Sequence, residues 1–164
     1  MKMKNILLSA LALTFALTSC NEWLDVMPDN RAEVDTAEKV EKLLVSAYPE
    51  NAYIMLAELS SDNVDDFGED SPYSERIYTQ VYQWSEVTES DNEDPKSVWG
   101  ALYGAITNAN QAIVAIEEMG ADTPELKASL GEALLCRAYN HFMLASLFCQ
   151  AYDPATANQD LGIP

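Results

Sequence analysis

The sequence is short of positive charge: 9 Lys and Arg stand against 27 Asp and Glu, a formal net charge of −18. Nucleic acids and anionic lipid surfaces are held by clustered Lys and Arg, so electrostatic attachment to either is excluded. Histidine is nearly absent, and the single one, His141, sits in a helical pattern with Arg137 one turn before it. With no HExxH or paired-Cys spacing there is no set of zinc ligands, so the two read as structural polar groups at a helix packing edge. Arg137 is then expected to pair with an acid on a neighbouring helix. The 6 glycines are scattered, so no loop cradles a phosphate, and neither a Walker nor a dinucleotide fingerprint occurs. Of the 3 cysteines, Cys136 and Cys149 fall on one predicted helix about 20 Å apart, too far for a disulfide. Both are expected to be small buried apolar residues. Acids abound, but no pair is singled out as a glycosidase would need, and an enzyme fits poorly.

A long apolar run is missing too. Ile6 to Leu17 is the nearest approach, and it falls short of the about 20 residues of a membrane span. Preceded by Lys2 and Lys4, it has the form of an export signal covering residues 1–19. Leu17-Thr18-Ser19-Cys20 then forms a bacterial lipobox: an aliphatic residue, two small ones, and the cysteine that takes the lipid. Acyl chains on Cys20 would hold the protein at a bilayer, each buried methylene adding about 0.8 kcal/mol. Residues 20–34, polar and punctuated by Pro28, read as the lipidated tether, with Trp23, Leu24, Val26 and Met27 able to pack onto the folded domain.

With 164 residues, the remainder is one domain with a sizeable core, residues 35–164. Asp35, with Glu38 three positions on, marks a helix start of the capping-box kind. Val40, Leu43, Leu44 and Ala47 make its buried stripe and Pro49 stops it. A short helix is expected over Ala52 to Leu59 with Met55, Leu56 and Leu59 inward. Ser60 to Asp70 is the densest acid cluster, and calcium is the ion to test. Aligning Asn63, Asp65 and Gly68 to an EF-hand loop puts Phe67 at a ligand position and Ser74 where the closing Glu belongs, so the motif fails. A solvated loop is the better reading, with a calcium site of another kind as the remainder.

From Tyr73 to Trp84, Tyr78, Tyr82 and Trp84 alternate with Ile77, Thr79 and Val81 as in a strand, while Ile77, Val81 and Trp84 also fit helical spacing. The segment is expected to be extended.

The chain is organised around two long helices between Pro95 and Tyr152. Trp99, Leu102, Tyr103, Ile106, Ala109, Ile113 and Ile116 recur at three- and four-residue steps and form one face. Asp94 caps that helix, Pro95 suits its first position, and Gly120 suits the left-handed residue beyond its end. Thr123 and Pro124 repeat the start signal, and Leu126, Leu130, Leu134, Ala138, Phe142, Ala145 and Phe148 are expected to make the second stripe. Neither helix hides its stripe alone, so the two should pair antiparallel.

Trp99-x-x-Leu102 matches the opening of a tetratricopeptide repeat, and Ala138, Phe142 and Ala145 match its second helix, at a wider separation than the repeat allows. Several other segments point the same way. They are Cys20 with Trp23-Leu24-Asp25 and Pro28, the turn Glu58-Leu59-Ser60-Ser61-Asp62-Asn63, and Trp99-Gly100-Ala101-Leu102-Tyr103 with Ile106 and Asn110. Glu132-Ala133, Arg137-Ala138-Tyr139, Phe142, Leu144 and Gly162-Ile163-Pro164 complete the set. In this order the chain resembles the SusD/RagB family of Bacteroidota outer-membrane nutrient-binding lipoproteins. The resemblance implies an all-α, tetratricopeptide-like scaffold with irregular loops, lipid-anchored in the outer membrane and exposed on the cell surface. It implies a partner, a TonB-dependent (SusC-like) transporter, and a cargo of oligosaccharide or other nutrient, bound without catalysis; no cofactor is expected, and Tyr73, Tyr78, Tyr82 and Trp84 are then the best available candidates for stacking against a sugar ring. Relatives of this kind continue beyond the equivalent of Pro164, so the chain is expected to correspond to the N-terminal part of such a protein, its scaffold incomplete. Two other readings stand beside this one: a helical scaffold that docks on the transporter without binding ligand, and a truncated fragment without independent function.

Overall fold

The computed structural model describes residues 33–50, 53–72, 75–120 and 122–164, apart from the side chain of Glu69. Cys20, the export signal and the tether before Glu33 lie outside the described residues. Five α-helices are present among them: α1 Ala37–Leu44, α2 Tyr53–Leu59, α3 Arg76–Tyr82, α4 Pro95–Glu118 and α5 Pro124–Phe148. A 3-10 turn, Val45–Ala47, extends α1, and another, Gly68–Asp70, lies between α2 and α3. No strand occurs among the described residues, and none of the helices is long and apolar enough to cross a membrane.

The long helices begin and end where their local chemistry puts them. At α4, the Asp94 carboxylate accepts from the Ser97 amide at 2.8 Å and Pro95 takes a first-turn position that needs no amide partner. Gly120, with φ of +90°, closes the C-terminus in the left-handed region that a side chain resists. Thr123 caps α5 by accepting from Leu126 N at 3.3 Å. At α1 the cap is Thr36, which accepts from Lys39 N at 3.3 Å, in place of the expected Asp35. Asp35 and Glu38 instead pair with Lys39 and Lys42 one turn on, at 2.6 and 2.7 Å, so no capping box forms.

The two long helices pack antiparallel, and the core divides between the two ends of their hairpin. Near the connecting turn, α1 lays Val40, Leu44 and Ala47 against Ala109, Ala112, Ile113 and Ile116 of α4 and Leu126, Ala133 and Cys136 of α5. At the open end, Leu56 of α2 and Ile77 and Val81 of α3 meet Val98, Leu102 and Ile106 of α4 and Leu144 of α5. Trp99 sits edge-on to Phe148 with ring centroids 5.1 Å apart. The C-terminal segment returns to this end, where Ile163 packs against the cluster and the Tyr103 hydroxyl donates to the Pro164 carbonyl at 3.0 Å.

Three further expectations are overturned. The segment after Ser74 is helical over Arg76–Tyr82, not extended, because Ile77, Gln80 and Val81 share one helical face and that face is buried. The second stripe is also rotated. The buried residues of α5 are Leu126, Ser129, Ala133, Cys136, Asn140 and Leu144, whereas Leu134, Leu135, Tyr139 and Phe142 are exposed. An α-helix turns about 100° per residue, so each four-residue step in the expected stripe drifts by about 40° and Phe142 ends nearly opposite Leu126. The small Ala133 and Cys136, facing Ala109 and Ala112, are what the close approach of the helices selects. Finally, Arg137 reaches no acid among the described residues; its guanidinium donates to Asn110 Oδ1 at 3.2 Å, across the helix pair. His141 stays on its own helix, with Nδ1 at 2.9 Å from the Arg137 carbonyl.

Candidate functional site

The open-end core matters because α3 rides on it. With Ile77 and Val81 turned inward, the helix must present Tyr78, Thr79 and Tyr82 on other faces, and these meet α2 across the acid-rich loop. Between them lies a cavity of about 690 Å³. Its lining comes from α2 (Met55, Glu58, Leu59), the loop (Asp62, Asn63, Val64, Asp65, Asp66, Phe67, Ser71, Pro72) and α3 (Tyr78, Thr79, Tyr82).

The loop is shaped by its own short polar side chains. Ser61 Oγ donates to the Glu58 carbonyl at 2.8 Å, extending the end of α2, and accepts from Asn63 N at 3.2 Å. Asp65 Oδ1 accepts from Asp66 N at 2.9 Å and Asp66 Oδ1 from Gly68 N at 2.8 Å, turning the chain through a glycine with φ of +60°. The Asn63 amide and the Tyr82 hydroxyl reach Glu58 and Asp65, each at 3.5 Å, tying loop to helices at the edge of hydrogen-bonding distance. Among the described residues no three His, Cys, Asp or Glu are grouped as a bound metal ion requires.

Of the aromatic candidates, Tyr78 and Tyr82 line the cavity. Trp84 does not; it stands just beyond the end of α3, 78% exposed. Tyr73 lies outside the described residues. Trp84 is also the one described non-glycine residue with positive φ, at 52°, a conformation unfavourable for a bulky side chain. Gln80 holds the turn that imposes it. Its carbonyl accepts from Ser85 N at 2.9 Å, while its side-chain amide donates to Thr88 Oγ1 at 2.9 Å and accepts from Thr88 N at 3.1 Å. The backbone that carries this exposed indole is thus held in a clamped, strained turn.

Phe67, 69% exposed, and the loop carboxylates line the cavity, although their sequence pattern reads only as a solvated loop. The acid density was a visible signal, but without the fold nothing told a lining from a surface.

Tyr78 supplies a pH handle. Its hydroxyl bonds to Glu93, which together with partial burial and neighbouring acids pushes the phenol up to about 12. Across the molecule, Tyr48 donates to Glu132 at 2.9 Å and is likewise pushed up to about 12, first by that bond and then by Cys136. Both protons are held more tightly in the folded chain than at the ordinary value of 10.0. Their stabilisation is therefore complete below pH 10 and lost as pH rises towards 12. Urea unfolding across that window should show a falling midpoint, shallower in Tyr48→Phe and in Tyr78→Phe than in the parent.

Chemically, the cavity combines flat aromatic faces with carboxylate and amide hydrogen-bonding groups. Saccharides need both, since a sugar ring has an apolar C–H face and a rim of hydroxyls. The sequence profile of the SusD-like_3 family, described as starch-binding and associating with the outer membrane, matches residues 22–163. Searches of curated proteins and of solved structures each returned no match. The family match spans the whole helical unit and the cavity within it, and the chain therefore belongs to the SusD-like family of starch-binding proteins associated with the outer membrane.

Proposed function

We propose that the protein is a non-catalytic glycan receptor of the outer membrane, anchored through a lipid on Cys20, exposed on the cell surface, and passing oligosaccharide to a TonB-dependent, SusC-like transporter. The observation that carries this is the aromatic and acid-lined cavity of about 690 Å³, within the usual range of small-ligand sites. Tyr78 and Tyr82 take the sugar faces, Asn63 and the carboxylates take the hydroxyls, and Trp84 provides an outer stacking surface. In this reading the polar groups hold the ligand in place rather than act on it.

Calorimetry of the full chain with a panel of starch-derived and other oligosaccharides tests the proposal. Trp84→Ala should weaken the best ligand roughly tenfold, equivalent to about 1.4 kcal/mol. Trp84→Gly should weaken it as much while keeping the fold at least as stable, because glycine accepts the positive φ without strain. Undiminished affinity in both variants removes Trp84 from the site. Failure of every saccharide to bind passes the function to the ligand-free scaffold reading, for which the exposed Leu134, Leu135 and Phe142 face of α5 speaks.

A further inference from the structure

We propose that the cavity between α2 and α3 selects saccharides bearing free amines, such as oligomers of glucosamine, over neutral and acidic ones, an inference that rests on the glycan reading of the same cavity. Among the described residues, the lining contains Glu58, Asp62, Asp65 and Asp66 and not one Lys, Arg or His. The ion pairs among the described residues lie elsewhere, at Lys39–Asp35, Lys42–Glu38 and Arg76–Glu89. The four carboxylates thus face the cavity with no basic side chain among the described lining residues to neutralise them.

Their arrangement points to a distributed cation. A metal ion needs several oxygens converging on one point, and the described acids form no such group. Asp65 and Asp66 each spend Oδ1 on an amide of the loop, which fixes the two carboxylates in the wall. Charges spread along a wall match ammonium groups spaced along a chain of sugars. Tyr78 and Tyr82 serve the same ligand twice, since an aromatic face attracts both the C–H surface of a sugar and a neighbouring ammonium group. Uronic acids or sulfated sugars would meet like charge, so the wall discriminates by repulsion as well as attraction.

Exposed ion pairs are individually weak, so several together are expected to give a preference of about tenfold at low salt. That preference should shrink as salt screens it. Calorimetry on the full chain at about pH 6, where sugar amines are protonated, compares trimers of glucosamine, N-acetylglucosamine, glucose and galacturonic acid. The expected order places the glucosamine trimer about tenfold tighter than its N-acetylated twin and the acidic trimer weakest. In the double variant Asp62→Asn with Asp66→Asn, the ratio between the two amino-sugar trimers should collapse towards one. Glu117→Gln with Glu118→Gln, which removes two exposed acids at the far end of α4, should keep that ratio. Equal affinity for the twin trimers overturns amine selection and leaves the glycan site standing. A ratio that survives the cavity variant, or falls equally in the α4 variant, overturns it too, by assigning the preference to the overall charge of the chain. If no trimer binds, the glycan reading and the selectivity fall together.

Discussion

Leu144→Ala is expected to destabilise the protein by about 3 kcal/mol, while Phe142→Ala, two positions away and larger, is expected to cost less than about 0.5 kcal/mol. Leu144 is fully buried in the open-end cluster, against Val98 and Leu102 of α4 and the inward residues of α2 and α3. Truncating it removes apolar area from the core and leaves a cavity that helices fixed on several sides close only in part. Phe142 is 63% exposed, so little of its ring leaves water on folding. Urea denaturation of the two variants measures the difference, and equal costs would mean that α5 presents another face to α4. The site should feel the same change. Because Ile77 and Val81 of α3 pack in the cluster that Leu144 completes, Leu144→Ala should also loosen Tyr78 and Tyr82 and lower glycan affinity, and Phe142→Ala should leave it unaltered.

Asp94→Ala should cost about 2 kcal/mol, the upper end for an N-cap. The Asp94 carboxylate is 5% exposed and does more than cap α4. It accepts from the Ser97 amide at 2.8 Å, the Ser97 hydroxyl at 2.8 Å and the Asp91 amide at 3.0 Å, so its removal strands buried donors on both sides of the helix start. Burial alone would raise its pKa, but the hydrogen bonds from Ser97, Asp91 and Lys96 outweigh that and leave it below the ordinary 3.8. A carboxyl depressed in the folded state contributes its stability above the unfolded value and loses it as pH falls through the folded one. The difference between parent and Asp94→Ala should therefore be full at neutral pH and shrink on acidification below about pH 4. Thermal unfolding should register the neutral-pH cost as a midpoint lower by about 6 °C. Asp94→Asn, which keeps one acceptor oxygen, should fall between the two.

The boundaries of the two long helices were legible because short-range chemistry decides them, whereas at α1 Thr36 took the cap from the neighbouring Asp35. Asp94-Pro95, Thr123-Pro124 and Gly120 act on their immediate neighbours, so their meaning does not depend on the rest of the fold. The face of α4 was legible for a related reason. Leu102, Ile106, Ala109, Ile113 and Ile116 are spaced closely enough to one helical period that only one face can be buried. The helix α5 offered apolar residues nearly all the way round, with Leu134, Leu135, Tyr139 and Phe142 competing against Leu126, Ala133, Cys136 and Leu144. Four-residue steps from Leu126 led to Leu134 and Phe142 of the first set, yet proximity to Ala109 and Ala112 rewards the second. Two helices pack most closely through small side chains, and that preference appears only once the partner is known.

The segment Arg76–Tyr82 shows the same limit at shorter range. Seven residues satisfy a two-residue and a helical period almost equally, and burial of Ile77 and Val81 against α2 and α4 settled the choice. That outcome carried Tyr78 and Tyr82 to the cavity and left Trp84 beyond the helix end on a strained turn.

By itself, then, the sequence determined the helical class, the caps of the two long helices, the buried face of α4 and, through the order of its short motifs, the family. Each depends on neighbours within a turn or two of helix, or on patterns that survive without knowing the fold. Only the tertiary structure decided which face of α5 is buried, whether residues 76–82 coil, and which acids and aromatics share one wall. Those outcomes depend on free energies of contact between segments far apart in the chain, where a small side chain can outweigh a large one because it lets two backbones meet.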